Sequence, residues 1–123
     1  MIKLIRVALV TALCVVGSVA FADASGTWTA SFDTQVGTQN YTFELKVDGD
    51  MLTGMAKSNL VGDVVLENGK VDGDTITFVE NGTYQGMPVS FSYTGEMVGD
   101  DEIHFSRVMM GFPAEEFVAT RSN

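Results

Sequence analysis

Lys46-Val47-Asp48-Gly49-Asp50 returns downstream as Lys70-Val71-Asp72-Gly73-Asp74, and a degenerate copy, Val98-Gly99-Asp100-Asp101, follows at a similar distance. Each copy joins two segments of period two, with β-branched and aromatic residues on one parity and polar residues on the other, the pattern of half-buried strands. Asp-Gly in so tight a connection marks a hairpin, because these residues tolerate positive φ. The repeating unit is therefore a hairpin used serially. Serial hairpins build an up-and-down barrel, in which closure removes the sheet edges that a soluble protein must otherwise protect.

Working outward from these turns gives eight predicted strands, and from Gly26 onward no window of helical length has a 3.6-residue period. The first strand sets Trp28, Ala30 and Phe32 against Thr27, Thr29 and Ser31. The second, 40–47, points Tyr41, Phe43, Leu45 and Val47 inward; the third, 51–58, points Leu52, Gly54 and Ala56 inward, small residues that suit a curved sheet. In the fourth, 63–71, Asn68-Gly69 predicts a bulge that changes the register. The fifth, 75–84, carries Ile76, Phe78, Glu80 and Tyr84 on its inner parity, and the sixth, 88–97, carries Val89, Phe91 and Tyr93. The seventh, 102–108, and the eighth, 115–121, direct Ile103, Phe105, Arg107, Phe117 and Ala119 inward. The expected fold is all-β, a single eight-stranded antiparallel up-and-down β-barrel after an N-terminal signal peptide.

Strand alternation places the three Asp-Gly connections at one end of this barrel, rimmed by Asp48, Asp50, Asp72, Asp74, Asp100 and Asp101. The other connections gather Leu60, Val61, Met87, Met109, Met110 and Phe112 around the opposite mouth.

The chain begins with Lys3 and Arg6, an apolar run from Val7 to Phe21, and small residues at alternate positions, the order of a secretory signal peptide. The run is shorter than the roughly 20 residues a spanning helix needs. Residues 1–22 are read as the signal peptide, with cleavage after Ala22 or Ala24, and 25–123 as the barrel domain. The single cysteine, Cys14, lies in the leader and follows Leu13, where a lipoprotein site would need a small residue, so no stable membrane anchor is expected after cleavage. The expected location is periplasmic or secreted. Losing Lys3 and Arg6 takes the formal charge from −9 to −11, five basic residues against sixteen acidic. So acidic a surface repels nucleic acid and anionic membranes, which makes both poor partners, and no nucleic-acid partner is expected.

Gly26-Thr27-Trp28 opens the first strand and Ala119-Thr120-Arg121 closes the last. Together they resemble the structural signature of the calycin superfamily: lipocalins, fatty-acid-binding proteins, avidins and bacterial metalloprotease inhibitors. The resemblance implies that Gly26 and Trp28 lie at the closed end of the barrel and that Arg121 packs across the indole. Leu52-Thr53-Gly54 adds an avidin-like touch, but avidins line their biotin site with several tryptophans and this chain has one, so biotin binding is not implied.

Chemistry is sparse. His104 has an outward parity between Glu102 and Ser106, and with no second histidine and no cysteine beyond the leader neither a His-centred metal site nor a thiol nucleophile can form. The Asp-Gly-Asp turns lack the EF-hand and nonapeptide calcium spacings, so turn formation and solubility account for them, and no metal or cofactor is expected. Glu80, Tyr84, Tyr93 and Arg107 have inward parity; a buried carboxylate needs a partner, and a charge-assisted pair between Glu80 and Arg107 across the lumen would supply one. With Met87, Met109 and Phe112 at the mouth they are the candidate ligand-binding residues. The expected function is non-catalytic binding of a small apolar or amphipathic molecule. The alternatives are a protein-interaction module, such as a protease inhibitor, that uses the Met and Phe loops, and a cofactor-free enzyme that uses Glu80, Tyr84 and Arg107.

Overall fold

The computed structural model describes residues 23–122, so the leader lies outside the described residues. The strands are β1 (Gly26–Thr34), β2 (Gly37–Asp48), β3 (Met51–Ser58), β4 (Gly62–Val65), β5 (Glu67–Asp72), β6 (Thr75–Tyr84), β7 (Met87–Val98), β8 (Glu102–Val108) and β9 (Glu115–Ser122). Neighbours in sequence pair antiparallel from β1 to β4 and from β5 to β9, β5 joins β3 through Met51 and Lys70, and β9 returns to β1 with Trp28 opposite Arg121. The result is a closed, all-β barrel of eight antiparallel strands, compatible with a calycin-like fold.

Nine ladder segments make eight strands because the predicted fourth strand is cut at Leu66 into β4 and β5. The expected bulge lies just beyond the cut, inside β5: Asn68 sits at φ 55° and the β5–β6 register shifts between Glu67 and Lys70. Below the cut, β5 continues the wall to β6. Above it β4 pairs with β3 alone, so among the described residues no ladder joins β4 to β6. The sequence signals the extra residue but not the missing ladder above it.

The repeated turns have a sharper chemistry than Asp-Gly as a unit. Asp48 and Asp72 end their strands, while Gly49 (φ 65°) and Gly73 (φ 61°) take the first of two loop positions, the arrangement that a type II′ hairpin reserves for glycine. Gln85 and Gly86 both adopt positive φ, 52° and 79°, as a type I′ hairpin requires, so a glutamine without any turn signature holds the tip between β6 and β7.

Inward parity becomes burial along every strand but β5, whose residues are exposed or half-buried. Trp28, Phe43, Leu52, Ala56, Ile76, Phe78, Ile103, Phe105 and Ala119 are buried and form the lower core with neighbouring aromatics. Phe43 stands at its centre, within 6.4 Å of the ring centroids of Tyr41, Phe78, Tyr93, Phe105 and Phe117. Such offset and edge-on aromatic pairs add about 0.5–1.5 kcal/mol each beyond the area they bury.

The closed end is built around Trp28. Its indole N–H donates to the Ala24 carbonyl at 2.9 Å, and the Arg121 guanidinium lies 4.3 Å from the ring centroid. Arg121 also donates to the carbonyl oxygens of Asp23 (3.0 Å), Ser25 (2.7 Å) and Asp100 (2.8 Å), which ties the first strand, the last strand and the β7–β8 turn together. Gly26 makes room for this: a Cβ there would stand 2.8 Å from Arg121 Nη1, on a backbone at φ 135°. The expected Gly26, Trp28 and Arg121 closure is thus present, and it takes in Asp23 and Ala24, which the expected domain start at residue 25 leaves out. A chain beginning at Ser25 is expected to be about 1–3 kcal/mol less stable than one beginning at Asp23, since it leaves the buried indole N–H without its acceptor. Urea unfolding of the two chains checks this, and equal midpoints would refute it.

Candidate functional site

Above the aromatic core the lumen changes character. Glu80 on β6 is completely buried, and both its carboxylate oxygens accept from the Tyr41 hydroxyl at 2.9 Å, while Oε1 also accepts from Tyr93 at 2.6 Å. Arg107 on β8, 1% exposed, donates from Nη1 to the same two hydroxyls, each at 3.1 Å. An arginine only donates and an ionised carboxylate only accepts, so the tyrosines relay between them: each receives from Arg107 and gives to Glu80. The direct Glu80–Arg107 pair expected from parity is therefore corrected. Two phenols stand between the charges, and the ion pair of Arg107 is with Glu115 on β9, Nε to Oε1 at 2.6 Å. The reason is reach: side chains from β2 and β7 enter the same layer and fill the gap.

Burial raises the Glu80 pKa above its usual 4.5, and the hydrogen bonds from Tyr93 and Tyr41, then the charge of Arg107, oppose the rise. Burial and then the Glu80 charge lift Tyr41 from 10.0 to about 12, and the same causes push Tyr93 well above its ordinary value. For Arg107 burial pulls the other way, but Tyr93 and the remaining acceptors outweigh it and hold the cation. The sign for Glu80 follows from the raised value. The folded state binds the proton more tightly, so its contribution to stability is full below the ordinary carboxyl range and is lost as pH rises through the folded pKa. Glu80→Gln is accordingly expected to gain on the native chain between acid and neutral pH. Thermal midpoints of both chains over that range test it, and a difference independent of pH would show that the Glu80 pKa is not raised.

Arg107 has a second face. Its Cζ lies 4.0 Å from the Phe91 ring centroid and 4.9 Å from that of Phe32, and Nη2 donates to Gln39 Oε1 at 3.1 Å. Four of its five N–H groups have acceptors among the described residues: Glu115, Tyr41, Tyr93 and Gln39. The fifth, on Nη2, has none. Arg107 is also the floor of a cavity of about 620 Å³ that occupies the upper barrel on the side away from the Asp-Gly turns. The walls are mostly apolar, from Val61, Val89, Phe91 and Met109, and Phe112 and Pro113 stand at the mouth. The lumen is thus filled below Arg107 and open above it, at a size within the usual range of small-molecule sites.

The expected site residues separate into three groups. Tyr84, Arg107, Met109 and Phe112 line the cavity; Glu80 and Tyr93 lie beneath it in the hydrogen-bonded layer. Met87 does neither: it leaves the Gln85-Gly86 turn with its side chain 66% exposed, outside the cavity wall. Three residues that the sequence left aside belong to the layer. Tyr41 is read as ordinary core by its parity, Gln39 precedes the predicted second strand, and Glu115 begins the last; no sequence signal marks them beyond an inward or strand-edge position. His104 faces outward and bonds Glu102 Oε1 at 3.1 Å, with both side chains about half exposed (51% and 48%).

The chain matches no known family, no curated protein and no solved structure. What the site can do is therefore argued from its own atoms. Among the described residues no group of three or more His, Cys, Asp or Glu is placed to hold a metal ion.

Proposed function

We propose that this is an exported, non-catalytic binding protein for a small amphipathic molecule, mainly apolar and carrying a neutral hydrogen-bond acceptor at its leading end. The observation that carries this reading is Arg107 at the bottom of a mostly apolar cavity, with one N–H on Nη2 that has no acceptor among the described residues. A buried donor without an acceptor costs free energy that a ligand carbonyl, ester or ether oxygen would recover. A carboxylate suits the place less well. Glu115 already neutralises Arg107, and Asp33 stands on the same wall, so an added anion would be repelled from both.

The enzyme alternative finds less support, because Glu80 is sealed below Arg107 and Phe91 and does not reach the cavity. An acid or base must come within hydrogen-bond reach of the proton it moves. Native mass spectrometry of the protein from its own host is the direct test: a reproducible bound mass is expected. A neutral solvatochromic dye such as Nile red should also enter the apoprotein, and Val89→Trp, which fills the cavity, should abolish its uptake. An empty barrel that co-purifies with another protein and ignores the dye would favour the protein-interaction reading instead.

A further inference from the structure

The two ends of the barrel differ in the charge of their loops, and the nearest carboxylates at the open end, Asp33, Asp63 and Glu115, stand on the strands beside those loops. The loops at the closed end, 49–50, 73–74 and 99–101, include Asp50, Asp74, Asp100 and Asp101. The loops at the open end, 35–36, 59–61, 85–86 and 109–114, contain no charged residue at all, in a chain of net charge −9. Around that mouth large apolar side chains face water: Met110 is 94% exposed, Met87 66%, Val36 52% and Phe112 52%. Met51 (57%) and Val98 (48%) are also exposed beside the Asp-rich turns, but the open end carries the larger group and without charged loop residues among it, and such a group marks an interaction surface. The shape is a crown around the cavity opening, and its apolar side chains stand on or beside the loops rather than along the unpaired edge between β4 and β6.

We propose that this crown docks on the surface of an uncharged or zwitterionic lipid bilayer, with the cavity mouth facing the headgroup region. The uncharged loops can enter the boundary between headgroups and acyl chains without desolvating an ion, and exposed Phe and Met supply the apolar area that drives such binding. The acidic end points away from the membrane, and an anionic surface would repel the chain as a whole through its net charge of −9, which leaves an uncharged or zwitterionic one. Docking rests on the loops alone and does not require the cavity to be occupied, but it would let an amphipathic molecule pass between bilayer and barrel without crossing water.

Flotation of the chain beginning at Asp23 with phosphatidylcholine vesicles tests the proposal. The protein should rise with the vesicles, and Met87→Glu with Met110→Glu should reduce binding at least tenfold, on the order expected for losing two exposed apolar contacts. Both side chains are exposed and neither lines the cavity, so the double variant should keep its fold and still take up Nile red from solution. Val89→Trp should do the reverse, losing the dye and keeping the vesicles, which separates failure of docking from failure of the cavity reading. No flotation on phosphatidylcholine, flotation indifferent to the double variant, or stronger binding to phosphatidylglycerol would overturn the proposal. So would a dimer in sedimentation that the double variant dissociates, since a second copy would then be the occupant.

Discussion

Replacing Trp28 by alanine is expected to lower stability by about 3–5 kcal/mol, the range for deleting a buried tryptophan. The indole is fully buried, its N–H is satisfied by Ala24, and Arg121 covers its face at 4.3 Å. Deleting the ring therefore does more than open a void. It removes the surface against which the first and last strands are drawn together, and leaves the Ala24 carbonyl and the guanidinium without their apolar neighbour. Arg121→Ala should cost less, because Trp28 would stay packed below it. Urea unfolding of the two variants measures both; a loss below about 1 kcal/mol for Trp28→Ala would mean that the closed end is held by something other than this residue.

A similar loss, about 3–5 kcal/mol, is expected from Arg107→Met, since removing one partner of a buried charged network strands the other. Methionine fills much of the space, so the effect is electrostatic before it is steric. Glu115 is 32% exposed on its side chain and can turn to water, but Glu80 cannot. With the cation gone, Glu80 keeps the hydrogen bonds of Tyr41 and Tyr93 and loses the charge that reached it through them. Adding Glu80→Gln to the Arg107→Met background should recover part of the loss, and the two single variants with the double form a cycle that measures the coupling. A coupling within about 0.3–0.5 kcal/mol of zero, the scatter of independent sites, would show that the tyrosines insulate the two charges instead of connecting them.

These variants bear on how far the sequence could be read. Period-two parity put Glu80, Tyr93 and Arg107 inside, and the barrel brings them into one layer, because parity decides which face a residue takes once the sheet has a buried side. Parity carries no information about height along the barrel axis. Whether Tyr41 is a greasy wall or the donor to Glu80 depends on how the registers of β2 and β6 meet across the lumen, which is set by the whole circuit of ladders. Gln39 is hidden for another reason: it reads as the last residue of the loop before the predicted second strand at Asn40, yet β2 begins at Gly37 and buries Gln39 against Arg107. The cavity was the least legible feature. It exists because rings from Phe32 and Phe91 stop at Arg107 and, above them on β7, Val89 is short and Met87 turns to solvent.

The turns and the closed end were the most legible, for the opposite reason. A glycine at positive φ is a local demand, and the contact of Trp28 with Arg121 joins the two strands that close the barrel wherever the rest of the circuit runs. Met87 does stand at the mouth, but its side chain turns to solvent, because nearness along the chain carries no information about orientation.

The cut at Leu66 determines how the molecule can breathe. Most of the wall can open only by breaking ladder hydrogen bonds in sequence, but above the bulge β4 and the facing half of β6 share none. There Val61 and Val64 lean over Gly82, whose absent side chain lets them fill the space that a ladder would otherwise hold. A contact made of methyl groups alone yields at lower free energy than a hydrogen-bonded edge, so this stretch is the part of the cylinder that local unfolding reaches first. The barrel is in this sense a ring fused around its base and merely laid shut along one upper side, with the closed end left out of any such motion.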